Sequence, residues 1–359
     1  MKKIFLYILQ FKLKFLASHI LKKFKPQIVA VTGSVAKSTT KEAIFYVLQQ
    51  KFQNKIDRSF GNLNTEVGTP LAILGFAKNP HGLEWISVMF KSLWRAFTLK
   101  TYPQILILEM AADKPGDIKY LTSFIKPNVA VITAIGPAHL EKFKTLNNII
   151  DEKMNLIRAL PKDGTAFLNQ DDEILQKEAQ KISQKIIWYS GGNILSFDAA
   201  RKIGEYFKLT EGQIKKGFAD FEPIKSRLNL ILTKRGSTII DDTYNANPLS
   251  MKFAIDFLAN KAPSRKIAIL ADMLELGKES QSLHYKIGQY ARERVDLLIG
   301  IGEMAKNFQK SDFYYQDVDC AIKEIFSDID FQKDDWILLK GSRRMEMEKI
   351  VDFLKEKLI

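Results

Sequence analysis

A chain of 359 residues exceeds the size at which a single hydrophobic core keeps growing, so two domains plus an appendage are expected. The one cysteine, Cys320, excludes an intramolecular disulfide framework and cysteine-based zinc clusters, and suits a reducing cytoplasm. A net charge of +13 favours nucleic acid, an anionic membrane surface or phosphorylated substrates, but no arginine-rich tract or RNA-binding aromatic signature is present, which argues against nucleic acid.

Residues 1–25 mix large apolar side chains with lysines at 2, 3, 12, 14, 22, 23 and 25. Lys12 and Lys14 interrupt the apolar run, which falls short of the roughly 20 mostly apolar residues of a spanning helix. No small-residue cleavage site marks a secretory signal. A basic, apolar helix is expected here. Its apolar residues go most of the way round, so it either lies on an anionic membrane face or packs on its own domain or a partner.

Pro26 ends that segment, and Ile28-Val29-Ala30-Val31 reads as a buried strand entering a glycine turn. Residues 39–51 have helical spacing, with Ile44, Val47 and Leu48 on one face. Buried-strand runs recur at 105–108, 129–132 and 165–168 with helical stretches between them, the pattern of a parallel sheet covered on both faces. From Asp172 to Pro223 the strand signal weakens, leaving little room for further strands before the helical stretches 194–207 and 211–221. A second series of strands follows at 228–232, 238–241, 266–270, 297–301 and 336–339, alternating with helices such as 248–259 and 282–294.

The segment Thr32-Gly33-Ser34-Val35-Ala36-Lys37-Ser38-Thr39-Thr40 lies between the first strand and the first helix, where backbone N–H groups and the helix dipole favour a phosphate. In a P-loop the lysine reaches the β- and γ-phosphates and the next Ser or Thr holds Mg²⁺, which makes Lys37 and Ser38 the candidates and Gly33 to Thr39 the nucleotide cradle. The general pattern has glycine before the lysine, whereas this chain has Ala36. The same residues also suit an ordinary strand-to-helix turn. The fold class expected is α/β, a P-loop-type parallel-sheet ATPase domain over 26–222 followed by a second Rossmann-like α/β domain over 223–359.

Further segments follow in order. They are an asparagine-rich stretch at 61–70, Glu109 at the end of a buried strand, Ile135-Gly136-Pro137-Ala138-His139-Leu140, and Lys153 in Asp151-Glu152-Lys153. In the second half come Asp241-Asp242-Thr243-Tyr244-Asn245-Ala246-Asn247-Pro248, then residues 269–277 followed by His284, and Lys340-Gly341-Ser342-Arg343-Arg344-Met345. Singly, each has a plainer reading. Glu109 suits a solvated strand end, although an acid beyond the carboxyl end of a parallel strand sits where such sheets bind ligands. His139 suits a loop cap, Lys153 a solvated helix lysine, and Asn-Ala-Asn-Pro a turn and helix entry with Pro248 in the first turn.

Taken in this order and separation, the segments resemble the Mur ligases, and residues 241–251 resemble the branch that adds D-alanyl-D-alanine to muramoyl-peptide precursors in peptidoglycan synthesis. The resemblance implies an ATP-dependent ligase in which the γ-phosphate passes to a substrate carboxylate and an amine displaces phosphate from the acyl-phosphate. It implies ATP and Mg²⁺ as cofactors, with Ser38 and Glu109 on one Mg²⁺ and His139 with a carbamylated Lys153 on a second. Lys37, Lys153 and His139 would then serve catalysis. Arg227, Asp242, Tyr244, Asn245 and Asn247 would engage the nucleotide when the second domain closes.

The resemblance runs from Ile28 to the C-terminus. The family normally carries a uridine-nucleotide-binding domain ahead of it, where only residues 1–25 stand here, so a different acceptor near a membrane is a second expectation. Ala134 also stands where an asparagine is usual. Two alternatives from other classes are a folylpolyglutamate- or cyanophycin-like ligase, disfavoured by residues 241–251, and a nucleotide-binding scaffold without turnover.

Overall fold

The computed structural model describes residues 2–190 and 195–358. Two compact units emerge, Met1–Ile135 with Asn147–Phe221, and Gly136–Leu146 with Glu222–Ile359.

In chain order the first unit contains α1 (Lys2–Phe24), β1 (Gln27–Thr32), α2 (Lys37–Phe52), β2 (Ile56–Arg58), α3 (Gly68–Ile73), α4 (Glu84–Thr98), β3 (Ile105–Glu109), α5 (Asp117–Thr122) and β4 (Val129–Ile132). After α6 (Leu140–Phe143), which belongs to the second unit, come α7 (Leu146–Arg158), β5 (Thr165–Asn169), α8 (Glu173–Ala179), β6 (Lys185–Tyr189), α9 (Leu195–Tyr206) and α10 (Glu211–Ala219). The strands run parallel in the order β2-β3-β1-β4-β5-β6. Ile28, Val29, Ala30 and Val31 are all buried, as a strand covered on both faces requires. Because β1 lies between β3 and β4, the chain switches direction across the sheet there. The loops leaving these three strands open on one crevice, where open α/β sheets bind ligands.

β6 corrects the expectation that the stretch after Asp172 has little room for further strands. Five residues suffice to pair with the whole of β5, and the Tyr189 hydroxyl donates to the Ile132 carbonyl at 2.9 Å. The run Ile186-Ile187-Trp188-Tyr189 carries an ordinary strand signal, although only Tyr189 is fully buried at this sheet edge. Asn193 and Ile194, within the stretches read from sequence, lie outside the described residues.

α1 buries Leu9, Leu13, Leu16, Ala17 and Ile20 in its own unit, packing on α3 and α4. Packing on its own domain, one of the two expectations for residues 1–25, is therefore met for this face. Among the described residues no helix is long and apolar enough to cross a membrane.

The second unit contains β7 (Asn229–Leu232), β8 (Thr238–Asp242), α11 (Pro248–Lys261), β9 (Lys266–Ala271), α12 (Ser280–Arg292), β10 (Leu297–Ile301), β11 (Phe313–Tyr315), α13 (Val318–Asp328), β12 (Trp336–Lys340) and α14 (Glu348–Lys357). Its sheet order is β11-β10-β9-β12-β8-β7, parallel except for β7 at the edge. Along β9, Ile267, Ile269 and Ala271 join the core under α13 and α14, while Ala268 and Leu270 join the core under α11 and α12. That alternation is the period-two signature of a sheet sandwiched between helices.

Residues 136–146 fall within 26–222 by sequence, yet they cluster with the second unit. The Glu141 N–H donates to the Glu275 carbonyl at 3.0 Å, and Leu249 packs so closely on Gly136 that a Cβ there would meet it at 2.9 Å. Local sequence carries no sign of either contact.

Candidate nucleotide and ligase site

The turn between β1 and α2 is held from β4. The Ser34 N–H donates to the Ala134 carbonyl at 2.7 Å, and the Thr133 hydroxyl donates to the Val35 carbonyl at 2.6 Å. Ala134 contributes through its backbone, so this bond does not need the asparagine usual at that position. Gly33 has φ +150°, and a Cβ on it would fall 1.9 Å from Thr133 Oγ1. Gly33→Ala is therefore expected to destabilise the protein by about 2–4 kcal/mol, because β4 must move and the Ser34 bond with it. A urea midpoint unchanged from wild type would contradict this.

Ala36 caps α2 in the left-handed conformation, φ 57° and ψ 8°. That backbone explains why the general pattern wants glycine before the lysine: glycine adopts it without a Cβ clash. Ala36→Gly is expected to raise stability by about 0.5–1 kcal/mol, strain relief outweighing the added chain entropy. Thermal unfolding of the single variant measures it, and a lower melting temperature would refute it.

Lys37 begins α2, and its Nζ donates to the Gly33 carbonyl at 2.9 Å, folding the ammonium back over the turn. Ser38 and Thr39 follow in the first helical turn, half-buried. Lys153, on α7, is buried and donates to the same Gly33 carbonyl at 3.0 Å. Its pKa is pushed down to about 7, first by burial and then by the Lys37 charge. The structure thus brings Gly33, Lys37 and Lys153 onto one carbonyl.

Glu109 ends β3 and is buried. Asn64 Nδ2 donates to its Oε1 at 2.8 Å, and its backbone N–H donates to Ser59 Oγ. Oε2 has no hydrogen-bond partner and faces Lys41 Nζ at 3.9 Å. Lys41 is itself buried, donating to the Ser59 carbonyl and pairing with Glu42 at 3.1 Å. A carboxylate with one oxygen anchored and the other unpartnered suits a divalent cation, which would take the open oxygen. Among the described residues no three His, Cys, Asp or Glu side chains gather as a metal cage.

In the second unit, Asp241 and Asp242 divide the work. Asp241 accepts from Ser226 Oγ and Thr243 Oγ1, shaping the turn after β8. Asp242 pairs with the buried Lys340, whose Nζ also donates to the Asn245 carbonyl at 2.9 Å. Burial holds the Lys340 pKa down, opposed by the Asp242 charge. The Arg227 guanidinium stacks 3.8 Å over the Tyr244 ring, between Ser226 and Leu228, which both have positive φ. Asn247 caps α11 through the Ser250 N–H in a capping box, with Pro248 at the first helical position, so the helix-entry role of that residue is present.

His139 also has positive φ, and its Nδ1 bonds Glu275. It falls in the second unit, whereas Lys37, Ser38, Glu109 and Lys153 fall in the first. His284 is fully buried: Nε2 accepts from the Met273 N–H while Nδ1 donates to the Ser280 carbonyl. Its pKa is lowered by burial, so it stays neutral and shapes the loop after β9.

Asn64, Lys41 and Lys340 take part in these networks without being among the expected site residues. Asn64 is visible in the asparagine-rich stretch. Lys340 opens the 340–345 segment, whereas Lys41 reads from sequence as an ordinary lysine that only its burial beside Glu109 distinguishes.

Residues 31–231 match the family described as Mur ligase middle domain, and residues 226–343 match Mur ligase, glutamate ligase domain. The chain is 28% identical to a UDP-N-acetylmuramoyl-tripeptide--D-alanyl-D-alanine ligase of Bacillus subtilis, over 95% of this chain and 78% of the relative. It is equally identical to the ligase of that name from Haemophilus influenzae, over 96% and 80%. A crystal structure of MurF ligase from Thermotoga maritima in complex with ADP superposes with a TM-score of 0.81 at 26% identity, covering 97% of this chain and 84% of that one.

Proposed function

The chain belongs to the Mur ligase family, and from that premise we propose that it is an ATP-dependent carbon–nitrogen ligase that adds D-alanyl-D-alanine to a muramoyl-peptide precursor in the cytoplasm. The observation that carries this reading is the convergence of Lys37 and Lys153 on the Gly33 carbonyl, at the carboxyl end of the same sheet that ends in Glu109 with its unpartnered oxygen.

In this reading a substrate carboxylate oxygen attacks the γ-phosphorus of ATP and ADP departs. The amine of D-alanyl-D-alanine then attacks the acyl carbon, phosphate leaves, and the amine proton is lost. Phosphoryl transfer of this kind is mostly positioning and charge neutralisation. Gly33 to Thr39 cradle the phosphates, and Lys37 swings its ammonium from the Gly33 carbonyl to the charge that develops on them. Ser38 and Glu109 would hold Mg²⁺, which supplies neutralisation of phosphate charge when bound. Asn64 and Lys41 keep Glu109 oriented. Lys153, with a pKa near neutrality, presents an uncharged amine that carbon dioxide can carbamylate, and would so serve a second cation. Arg227, Asp242, Tyr244, Asn245 and Asn247 form the nucleotide-engaging set of the second unit. Peripheral contact of residues 1–25 with the inner face of the membrane belongs to the same reading.

The test is phosphate release from Mg-ATP by purified protein with UDP-N-acetylmuramoyl-tripeptide, with and without D-alanyl-D-alanine. Release that needs both substrates supports the reading. ATP binding without release under either condition would refute this substrate pair and leave the nucleotide-binding scaffold.

A further inference from the structure

α4 is absent from the elements expected from sequence, and among the described residues it carries more of the exposed large apolar side chains than any other element. Ile86, Phe90, Leu93, Trp94 and Phe97 recur at helical spacing, each more than half exposed, with Trp94 at 71% and Phe90 at 72%. α1 lies against α4, its Lys23 Nζ donating to the Leu99 carbonyl and its His19 ring 4.8 Å from that of Phe97. On its outward side Tyr7, Phe11 and Phe15, spaced by four, are exposed as well. Between the two helices runs an apolar groove of about 390 Å³ lined by Phe11, Phe15, Met89, Phe90, Leu93 and Phe97, with Lys12 beside them. Soluble monomers rarely leave a contiguous apolar face of this kind uncovered.

The charge around the face selects what covers it. Residues 1–25 hold seven lysines and no acidic residue. Lys12, Lys22, Lys23 and Lys91 are exposed along the two helices, and Lys100 just past the end of α4. The one acid of α4, Glu84, is paired with Lys78 at 3.5 Å. A second copy of the chain would set these lysines against one another. An anionic bilayer neutralises them, while Trp94 and Tyr7 are side chains suited to the headgroup boundary.

We propose that α1 and α4 together form a docking face for an anionic lipid bilayer, with α4 supplying most of the side chains that enter the acyl boundary. The proposal deepens the peripheral contact assigned above to residues 1–25 and rests on it: the inner face of α1 is spent on its own unit, and among its described side chains Tyr7, Ile8, Phe11 and Phe15 are the large apolar ones left exposed. It does not depend on ligase activity. The face also lies close to the proposed site. Gln10 of α1 donates to Glu66 at 2.9 Å, two residues from the Asn64 that holds Glu109.

The test is flotation of the full chain with vesicles of phosphatidylcholine alone or mixed with phosphatidylglycerol, together with tryptophan emission. Wild type is expected to float with the anionic vesicles only, to be released by high salt, and to show a blue shift that Trp94→Phe removes. Phe90→Ser with Phe97→Ser, both on the exposed face, is expected to lower partitioning by roughly tenfold or more with the melting temperature preserved. Replacing Lys12 and Lys91 by Gln is expected to lower it about fivefold per residue. If wild type floats and the α4 variant floats equally, the docking face proposed here is overturned while contact through residues 1–25 stands. If wild type does not float, both fall, and phosphate release still decides the ligase reading separately. A dimer in solution that the α4 variant turns into monomer, without vesicle binding, would overturn the bilayer in favour of a second copy.

Discussion

Lys37→Ala is expected to lower substrate-dependent phosphate release by roughly 10³-fold, the scale of removing one charge-stabilising donor from a reaction whose catalysis is mostly electrostatic. The side chain is half-buried and its bond to the Gly33 carbonyl is local, so stability should change by no more than about 1 kcal/mol. Loss of turnover with an unchanged melting temperature would separate a phosphate-contacting role from a structural one. The variant carries a second, coupled effect. The Lys37 charge is one reason the Lys153 pKa is low, so its removal should let that pKa climb towards the ordinary lysine value. Turnover within a few-fold of wild type would remove Lys37 from the mechanism.

Lys153→Met is expected to alter stability and activity in opposite senses. A lysine with a folded pKa of about 7 binds its proton less tightly than the unfolded chain does, so between pH 7 and about 10 the unfolded state carries the extra proton. Stability of the wild type therefore rises with pH through that window, by about 1.4 kcal/mol per unit from this group. Below pH 7 both states are protonated and the whole cost of the buried charge is felt. In carbon dioxide-free buffer the Met variant should be the more stable at pH 6, with wild type gaining about 2 kcal/mol on it by pH 8.5. Parallel urea midpoints across that range would show that Lys153 is not held near neutrality. In activity the variant should fall by at least about 10²-fold. Wild-type turnover should also drop when carbon dioxide is stripped and return with bicarbonate, because only the uncharged amine can form a carbamate.

Much of the architecture was legible before folding was considered. β4 and β10 occupy the residues expected of them, and β1, β3, β5, β8, β9 and β12 extend the expected runs by a residue or two. Their unbroken β-branched and aliphatic character follows from burial on both faces, a local property. β6, despite its Ile186-Ile187-Trp188-Tyr189 run, and α4 were not among the expected elements. β6 is an edge strand with one buried side chain, and α4 exposes the residues that a buried helix would hide.

By itself the sequence determined the element order, the glycine turn with Lys37 after β1, and the acids and asparagines after β8. All are set by spacing within a dozen residues. Only tertiary structure decided that Lys153 shares a carbonyl with Lys37, that Lys41 faces Glu109 and Lys340 pairs with Asp242, and that His139 bonds Glu275. These pairings set the protonation and orientation of the site. Most join side chains about 70–140 positions apart, and even Lys41 meets Glu109 only because α2 and β3 are packed together. Burial and charge at such places arise from how strands and helices are brought together, which no local spacing encodes.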